Sequence, residues 1–213
     1  MREVITEDNS ITYYNEEAQD HYHTKSGARE EAFEKHAKAL KIDEVSNPVI
    51  YDMFFGLGYN AAAAIDILKD NVTIYCFEND KVILSKILEL KADFESWSLI
   101  QDFVRGFLEN NEKVFTKKNI KLIMLFGDAL EEIKNVEEKA DFVFFDPFSP
   151  AKVPQFWTLD FFKDVKDKMN SGGKLSTYSC ARFVKDNFIE AGFRLEKGPI
   201  VGRRSPSTIA IKD

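Results

Sequence analysis

Residues 48–55, Pro-Val-Ile-Tyr-Asp-Met-Phe-Phe, form a near-continuous apolar run that Gly56-Leu57-Gly58 stops. A strand apolar on both faces belongs to a parallel sheet covered by helices on both sides. Shorter strand-like runs follow at 72–77, 119–126, 140–145 and 175–179, separated by helix-like stretches at 60–69, 80–92, 158–169 and 182–191. Alternation of this kind predicts a doubly wound α/β, Rossmann-like sheet. Two closing runs, 193–196 and 207–211, predict a C-terminal antiparallel hairpin added to the mostly parallel sheet. Residues 93–118 read as helical, and Gly172-Gly173 as the stop of the helix before them. Upstream, 10–14 reads as a short strand. Residues 28–40 read as a helix with Ala32, Phe33, His36, Ala37 and Leu40 on one apolar face.

With 213 residues and no linker or repeat, one domain is expected over 1–213, an N-terminal extension (1–45) leading into the core (46–213). No apolar run approaches the roughly 20 residues that span a bilayer, and the N-terminus has no secretory h-region. Cys76 and Cys180 are the only cysteines, which argues against a disulfide scaffold or zinc site and fits a reducing cytoplasm. His21-x-His23 lacks further ligands at a suitable spacing, so no metal is expected. The net charge of −7 argues against a general nucleic-acid binder. From Lys174 onward, however, eight Lys or Arg face four acids, a hint of a nucleic-acid face at the C-terminal end.

Ligands of such sheets sit at the carboxyl ends of the strands. After the first strand, Gly56 and Gly58 allow close backbone approach and offer a helix N-terminus. After the second, Glu78 is placed to accept from two ribose hydroxyls. After the third, Asp128 is placed to accept from an adenine amine. A nicotinamide dinucleotide site is the rival: Gly56, Gly58 and Ala61 satisfy G-x-G-x-x-A, and Glu78 follows Gly58 by 20 residues. Asp128 and the polar-aromatic loop after the fourth strand favour S-adenosylmethionine instead.

That loop is Asp146-Pro147-Phe148-Ser149-Pro150. Methyl transfer to an amine needs a neutral, aimed nitrogen, and a carboxylate accepting its N–H can supply the aim and absorb developing charge. Pro147 fixes the turn, and Phe148 with Trp157 or Tyr178 suits the wall of a base-stacking pocket. The loop is similar in form to the Asp-Pro-Pro-Tyr/Phe loop of nucleic-acid amino-methyltransferases.

The chain resembles the methyltransferase domain of the MnmC family, which makes 5-methylaminomethyluridine at the tRNA wobble position. The resemblance runs through residues 7–12, 22–31, 55–60 and 126–129 and is strongest over 146–158, Asp-Pro-Phe-Ser-Pro-Ala-Lys-Val-Pro-Gln-Phe-Trp-Thr; Thr177-Tyr178-Ser179, Gly202-Arg203-Arg204 and Thr208 complete it. It implies cofactor contacts from Tyr22, Ser26, Glu31, Asp52, Asn60 and Ala129 beside Gly56, Gly58, Glu78 and Asp128. It implies an acceptor site of Asp146, Pro147 and Phe148, with tRNA met by Lys152, Trp157, Tyr178, Arg203 and Arg204. Phe54 replaces the family's first loop glycine, Pro147 an Ala or Gly, Val153 an Asn, and Ser205 a basic residue. No counterpart of the family's FAD-dependent oxidase half lies within these residues, so the resemblance implies a stand-alone cytoplasmic methyltransferase. The same cofactor half would also serve a small-molecule or protein N-methyltransferase, or a non-catalytic cofactor-binding module in which Phe54 blocks productive binding.

Overall fold

A computed structural model describes residues 1–24, 26–202 and 204–213. The chain opens with a three-stranded antiparallel sheet: β1 (Arg2–Ile5), β2 (Ile11–Asn15) and β3 (Asp20–His21), in that order. Asp8 ties its first turn. Asp8 Oδ1 accepts from the Thr6 hydroxyl at 2.6 Å and the Ser10 amide at 3.0 Å, while Oδ2 accepts from the Glu30 amide at 3.1 Å, joining the sheet to the next helix. Only the middle strand is anticipated by the sequence pattern. β1 is nearly all exposed and β3 has two residues, so neither carries an apolar signature.

The helix expected over 28–40 forms, but not as a uniform α-helix. α1 (Ala28–Glu31) passes into a π-helical stretch (Ala32–Ala37) and then α2 (Lys38–Leu40). Bonding from i to i+5 brings residues five apart into line, so Glu31 and His36, with Lys35 between, all turn inward.

The main sheet has eight strands: β4 (Val49–Met53), β5 (Val72–Glu78), β6 (Val114–Lys117), β7 (Ile120–Phe126), β8 (Ala140–Phe145), β9 (Met169–Thr177), β10 (Arg194–Lys197) and β11 (Thr208–Ile211). Their order is β10-β11-β9-β8-β4-β5-β7-β6. The five central strands are parallel, while β6, and β11 between β9 and β10, pair antiparallel. The helices are α3 (Tyr59–Leu68), α4 (Lys81–Glu89), α5 (Trp97–Asn110), α6 (Ala129–Asn135), α7 (Leu159–Asp167) and α8 (Arg182–Glu190). One buried cluster joins α3, α4, α5 and the N-terminal helix to one face of the sheet. A second joins α6, α7 and α8 to the other. None of the helices is long and apolar enough to cross a membrane among the described residues.

Two local expectations are corrected. Residues 114–117 form a strand rather than the end of a helix. Asn111, at φ 56, closes α5, and Lys118, at φ 54, turns the chain back so that β6 pairs with β7. Gly172 and Gly173 lie inside β9 rather than ending α7, where they exchange backbone hydrogen bonds with Lys212 at 2.6 and 2.9 Å.

Strand period places the site. Ile50, Ile74, Cys76, Phe142 and Phe144 pack on the first face, and Tyr51, Met53, Phe77, Val143 and Phe145 on the second. Asp52, in register with Cys76 and Phe144, therefore points to the first face, and the same alternation delivers Glu78 and Asp146 there at the strand ends.

The turn after β4 depends on Gly58, at φ 74, where an added Cβ would lie 2.8 Å from the Phe55 ring and 3.1 Å from Ile100 Cγ2. Gly58→Ala should destabilise the fold by about 1–3 kcal/mol through backbone strain and this clash. Urea unfolding would measure it, and an unchanged midpoint would show that the turn relaxes freely.

Candidate active site

A cavity of about 1430 Å³ opens at the carboxyl ends of β4, β5, β7, β8 and β9. The N-terminal sheet forms its far wall. Asp20 Oδ2 accepts from the Ser149 amide at 3.3 Å, Lys152 donates to Gln19 at 3.3 Å, and Tyr22 packs edge-on against Phe148 at 5.0 Å. Tyr22 also donates to Asp80 Oδ2 at 3.4 Å, so it touches both ends of the cavity.

One end is built on the glycine turn. Glu78 Oε2 accepts from the Gly56 amide at 2.8 Å, and Oε1 from the amides of Asn79 and Asp80 at 2.8 and 2.9 Å. Burial raises the Glu78 carboxyl above its ordinary range despite these three donors. Gly56, at φ 54, leaves room for Tyr22, whose ring carbon would lie 3.2 Å from an added Cβ. Phe54 takes φ 71, the left-handed conformation that the family's glycine would adopt there without strain. Its ring packs edge-on to Phe156 at 4.7 Å and Phe145 at 5.6 Å. Asp128 caps α6, accepting from the Leu130 amide at 3.0 Å, while it and Ala129 line the cavity.

At the other end Asp146 follows β8. Its loop is held from below: the Tyr178 hydroxyl donates to the Pro147 carbonyl at 3.0 Å, and Trp157 Nε1 to the Phe148 carbonyl at 3.1 Å. Around Asp146 stand Glu31 and Lys35, paired with each other, together with His23, His36 and Asn60. Glu31 Oε2 also accepts from the Thr24 amide and hydroxyl, both at 3.1 Å. Burial alone would raise the Glu31 carboxyl, but the Lys35 ammonium outweighs it and holds the group low. Burial and the neighbouring Glu31 charge push Asp146 up to about 6. Asp52, fully buried and near Asp146, is held well above the carboxylate range, and neither of its oxygens makes a full hydrogen bond. Burial pushes both His23 and His36 down, leaving neutral rings.

The cavity brings together Tyr22, Glu31, Gly56, Asn60, Glu78, Asp128, Ala129, Asp146, Pro147, Phe148, Lys152 and Tyr178. Asp52 and Gly58 are buried behind its surface. Ser26 lies outside it, 3.0 Å from the Thr24 hydroxyl. Trp157 is corrected as a tRNA contact: only 1% exposed, it supports the acceptor loop from beneath instead of presenting a face to solvent. Arg204 is exposed and away from the cavity lining, and Arg203 lies outside the described residues. The sequence pattern places His36 in the core and gives Lys35 no distinct role. The signal was Glu31 and Lys35 at i and i+4, which only burial turns into a site feature. Among the described residues no group of three or more His, Cys, Asp or Glu is arranged to hold a metal.

A family described as S-adenosyl-L-methionine-dependent methyltransferase matches residues 92–213. The chain belongs to this methyltransferase family. The methyltransferase is 31% identical to the crystal structure of MnmC2 from Aquifex aeolicus, with a TM-score of 0.81 over 99% of this chain and 70% of that one. It is 35% identical over 211 residues to an uncharacterized protein of Methanocaldococcus jannaschii, covering 99% of this chain and 59% of the relative. It is 33% identical over 122 residues to the tRNA 5-methylaminomethyl-2-thiouridine biosynthesis bifunctional protein MnmC of Leptospira interrogans, covering 57% of this chain and 18% of that protein. The methyltransferase thus spans less than two thirds of either relative's length. The relation to the MnmC methyltransferase portion and the mixed sheet agree with the reading of the sequence.

The Glu31–Lys35 pair is buried on both sides, at 3% and 2% side-chain exposure. Lys35→Met should cost about 3–5 kcal/mol, because Glu31 is left as an uncompensated buried charge. Glu31→Gln combined with Lys35→Met should recover most of that loss in denaturant unfolding. Equal losses in the single and double variants would show that packing, not charge, sets the cost.

Proposed function

We propose that the methyltransferase carries a methyl group to the primary amine of 5-aminomethyl(-2-thio)uridine at the tRNA wobble position, giving the 5-methylaminomethyl nucleoside. The observation that carries this reading is the charge of the cavity. Eight carboxylates line it (Glu16, Glu17, Asp20, Glu31, Glu78, Asp80, Asp128 and Asp146), against one lysine, Lys152, among the described residues. Such a lining favours cationic groups, and an aminomethyl group is one. The names of the Leptospira and Aquifex relatives support the choice of tRNA.

The residues present suit S-adenosylmethionine. The Gly56 turn gives close backbone approach, Glu78 and Asp128 offer acceptors, and the buried Asn60 Oδ1 lacks a hydrogen-bond partner beside that turn. When bound, this cofactor supplies a methyl group on a cationic sulfur, which keeps the C–S bonding pair as the amine nitrogen takes the carbon. The amine enters as an ammonium and gives up one proton to water. Asp146 accepts an N–H of the resulting neutral amine, aims its lone pair, and receives the proton the nitrogen sheds once it carries four bonds. Tyr178 and Trp157 hold the two carbonyls of the acceptor turn in place, and Phe148 with Tyr22 flanks the base. No metal enters this scheme, and the setting is cytoplasmic. Lys152, Arg203 and Arg204 supply the phosphate contacts.

Incubation with tRNA bearing 5-aminomethyluridine, followed by mass spectrometry of the nucleosides, tests the reading. One added methyl on that nucleoside is expected. Cofactor turnover on small amines or proteins with none on tRNA would replace this substrate, and no binding of S-adenosylmethionine by calorimetry would leave a non-catalytic module.

Asp146→Asn should lower turnover about 10²- to 10⁴-fold with cofactor affinity nearly unchanged. In the native protein kcat/KM should rise with pH through about 6, as Asp146 ionises, and the variant should lack that limb. The native carboxyl sits above its unfolded value. Its stabilising contribution is therefore complete below pH ~4 and lost as pH rises through ~6. The Asn variant should accordingly be more stable than wild type at pH 8, by about 1–3 kcal/mol. Wild-type turnover in the variant would remove Asp146 from the reaction.

A further inference from the structure

His36 is fully buried, with its ring tilted over Phe144 at 5.6 Å. Its two nitrogens face different partners. Nδ1 lies 2.8 Å from the Ser176 hydroxyl, and Nε2 lies 3.7 Å from Asp146 Oδ2. Nε2 is buried and makes no hydrogen bond. A buried N–H without an acceptor is costly, so a nitrogen aimed at a carboxylate calls for an account. The sheet explains the alignment. Ser176 on β9 pairs in register with Phe144 on β8, and Asp146 lies two residues beyond Phe144 on the same face. The π-helical stretch brings His36 down onto that face between the two.

We propose that His36 is a positioning residue for Asp146: the Ser176 hydroxyl donates to Nδ1, fixing the proton on Nε2, and Nε2–H points at Oδ2, leaving the other carboxylate oxygen to the substrate amine. The role in turnover rests on the amine-methylation reading above. The neutral state of the ring agrees with it, since burial holds His36 at about 3 and leaves one N–H to place. The separation of 3.7 Å exceeds a formed hydrogen bond, and a small rotation of the carboxylate closes it once Asp146 is ionised, with or without substrate. Four other ionisable groups bear on Asp146. Glu31 and Lys35 come from the same helix, His23 from the segment after β3, and Asp52 from β4. The Glu31–Lys35 pair is internally compensated, while burial pushes His23 down and Asp52 up, disfavouring charge on both. The Asn60 side chain also hydrogen-bonds to Asp146, and His36 adds a buried ring nitrogen close to the carboxylate that makes no other hydrogen bond.

The test is the titration of the Asp146 carboxyl by ¹³C NMR in cofactor-free protein, beside steady-state kinetics. In wild type the midpoint should lie near 6. His36→Leu should raise it by one unit or more, because the ionised carboxylate loses its donor. The same change should lower kcat tenfold or more at pH 7, with KM and cofactor affinity within twofold. His36→Gln, whose side-chain amide reaches the place of Nε2, should restore at least half of both effects. A purely structural role would lower the unfolding midpoint and leave the carboxyl titration where it was. A folded His36→Leu protein with a wild-type titration would overturn the proposal. If that variant does not fold, Ser176→Ala stands in, removing the hydroxyl while keeping the ring, and an unmoved titration there would overturn it equally. The titration needs no substrate. If tRNA is not methylated but the titration moves, the substrate reading falls and the His36–Asp146 coupling stands.

Discussion

Three buried or nearly buried carboxylates, those of Glu31, Asp52 and Asp146, meet a single buried ammonium, Lys35. They cannot all be ionised there at little cost, because the surroundings screen charge poorly. The site resolves this by dividing states. Glu31 takes Lys35 and stays charged, burial pushes the Asp52 carboxyl well above its ordinary range, and Asp146 is poised near 6. The arrangement stores electrostatic strain that a cationic ligand would relieve. On the proposed function, a site of this kind would favour an amine over a hydroxyl or a carboxylate before any shape complementarity is considered.

Two elements outside the central strands create it. The π-helical stretch turns Glu31, Lys35 and His36 inward together, which a uniform α-helix would not do with residues five apart. The N-terminal sheet closes the other wall, reaching the acceptor loop through Asp20, Gln19 and Tyr22. The sheet core brings the strand ends together. The N-terminal 40 residues turn that open crevice into a walled cavity.

Much of this was legible where physics is local. The apolar runs of β4, β7 and β8 announce strands buried on both faces, and an acid or glycine at each strand end announces a ligand edge. β6 escaped because Val114–Lys117 is short, largely exposed and gains its conformation from pairing with β7 rather than from its own pattern. Gly172 and Gly173 read as a stop, yet long-range pairing with Lys212 keeps them in a strand. Trp157 looked like a stacking face, but its indole lies under the loop it supports. His36 fell on an apolar helix face, and nothing in the sequence states that the face would meet Ser176 and Asp146.

The cavity's charge also bears on how a polyanion would be held. An acid-lined site repels phosphate, so on the proposed function the nucleic acid must be gripped at the rim and only the amine-bearing base admitted. Lys152 sits where the cavity meets solvent, and Arg204 stands exposed in the C-terminal segment, where the chain's basic residues gather. Affinity then comes from few phosphate contacts, so its dependence on salt is shallow, about one unit of slope per contact. Discrimination comes from the buried carboxylates. A base without the amine gains nothing from Asp146, and one bearing a carboxylate is repelled by Asp146 and its neighbours. On the proposed function, weak grip joined to a charge-selective cavity would let an acidic protein sample many RNAs and act on those that bring a cation to Asp146.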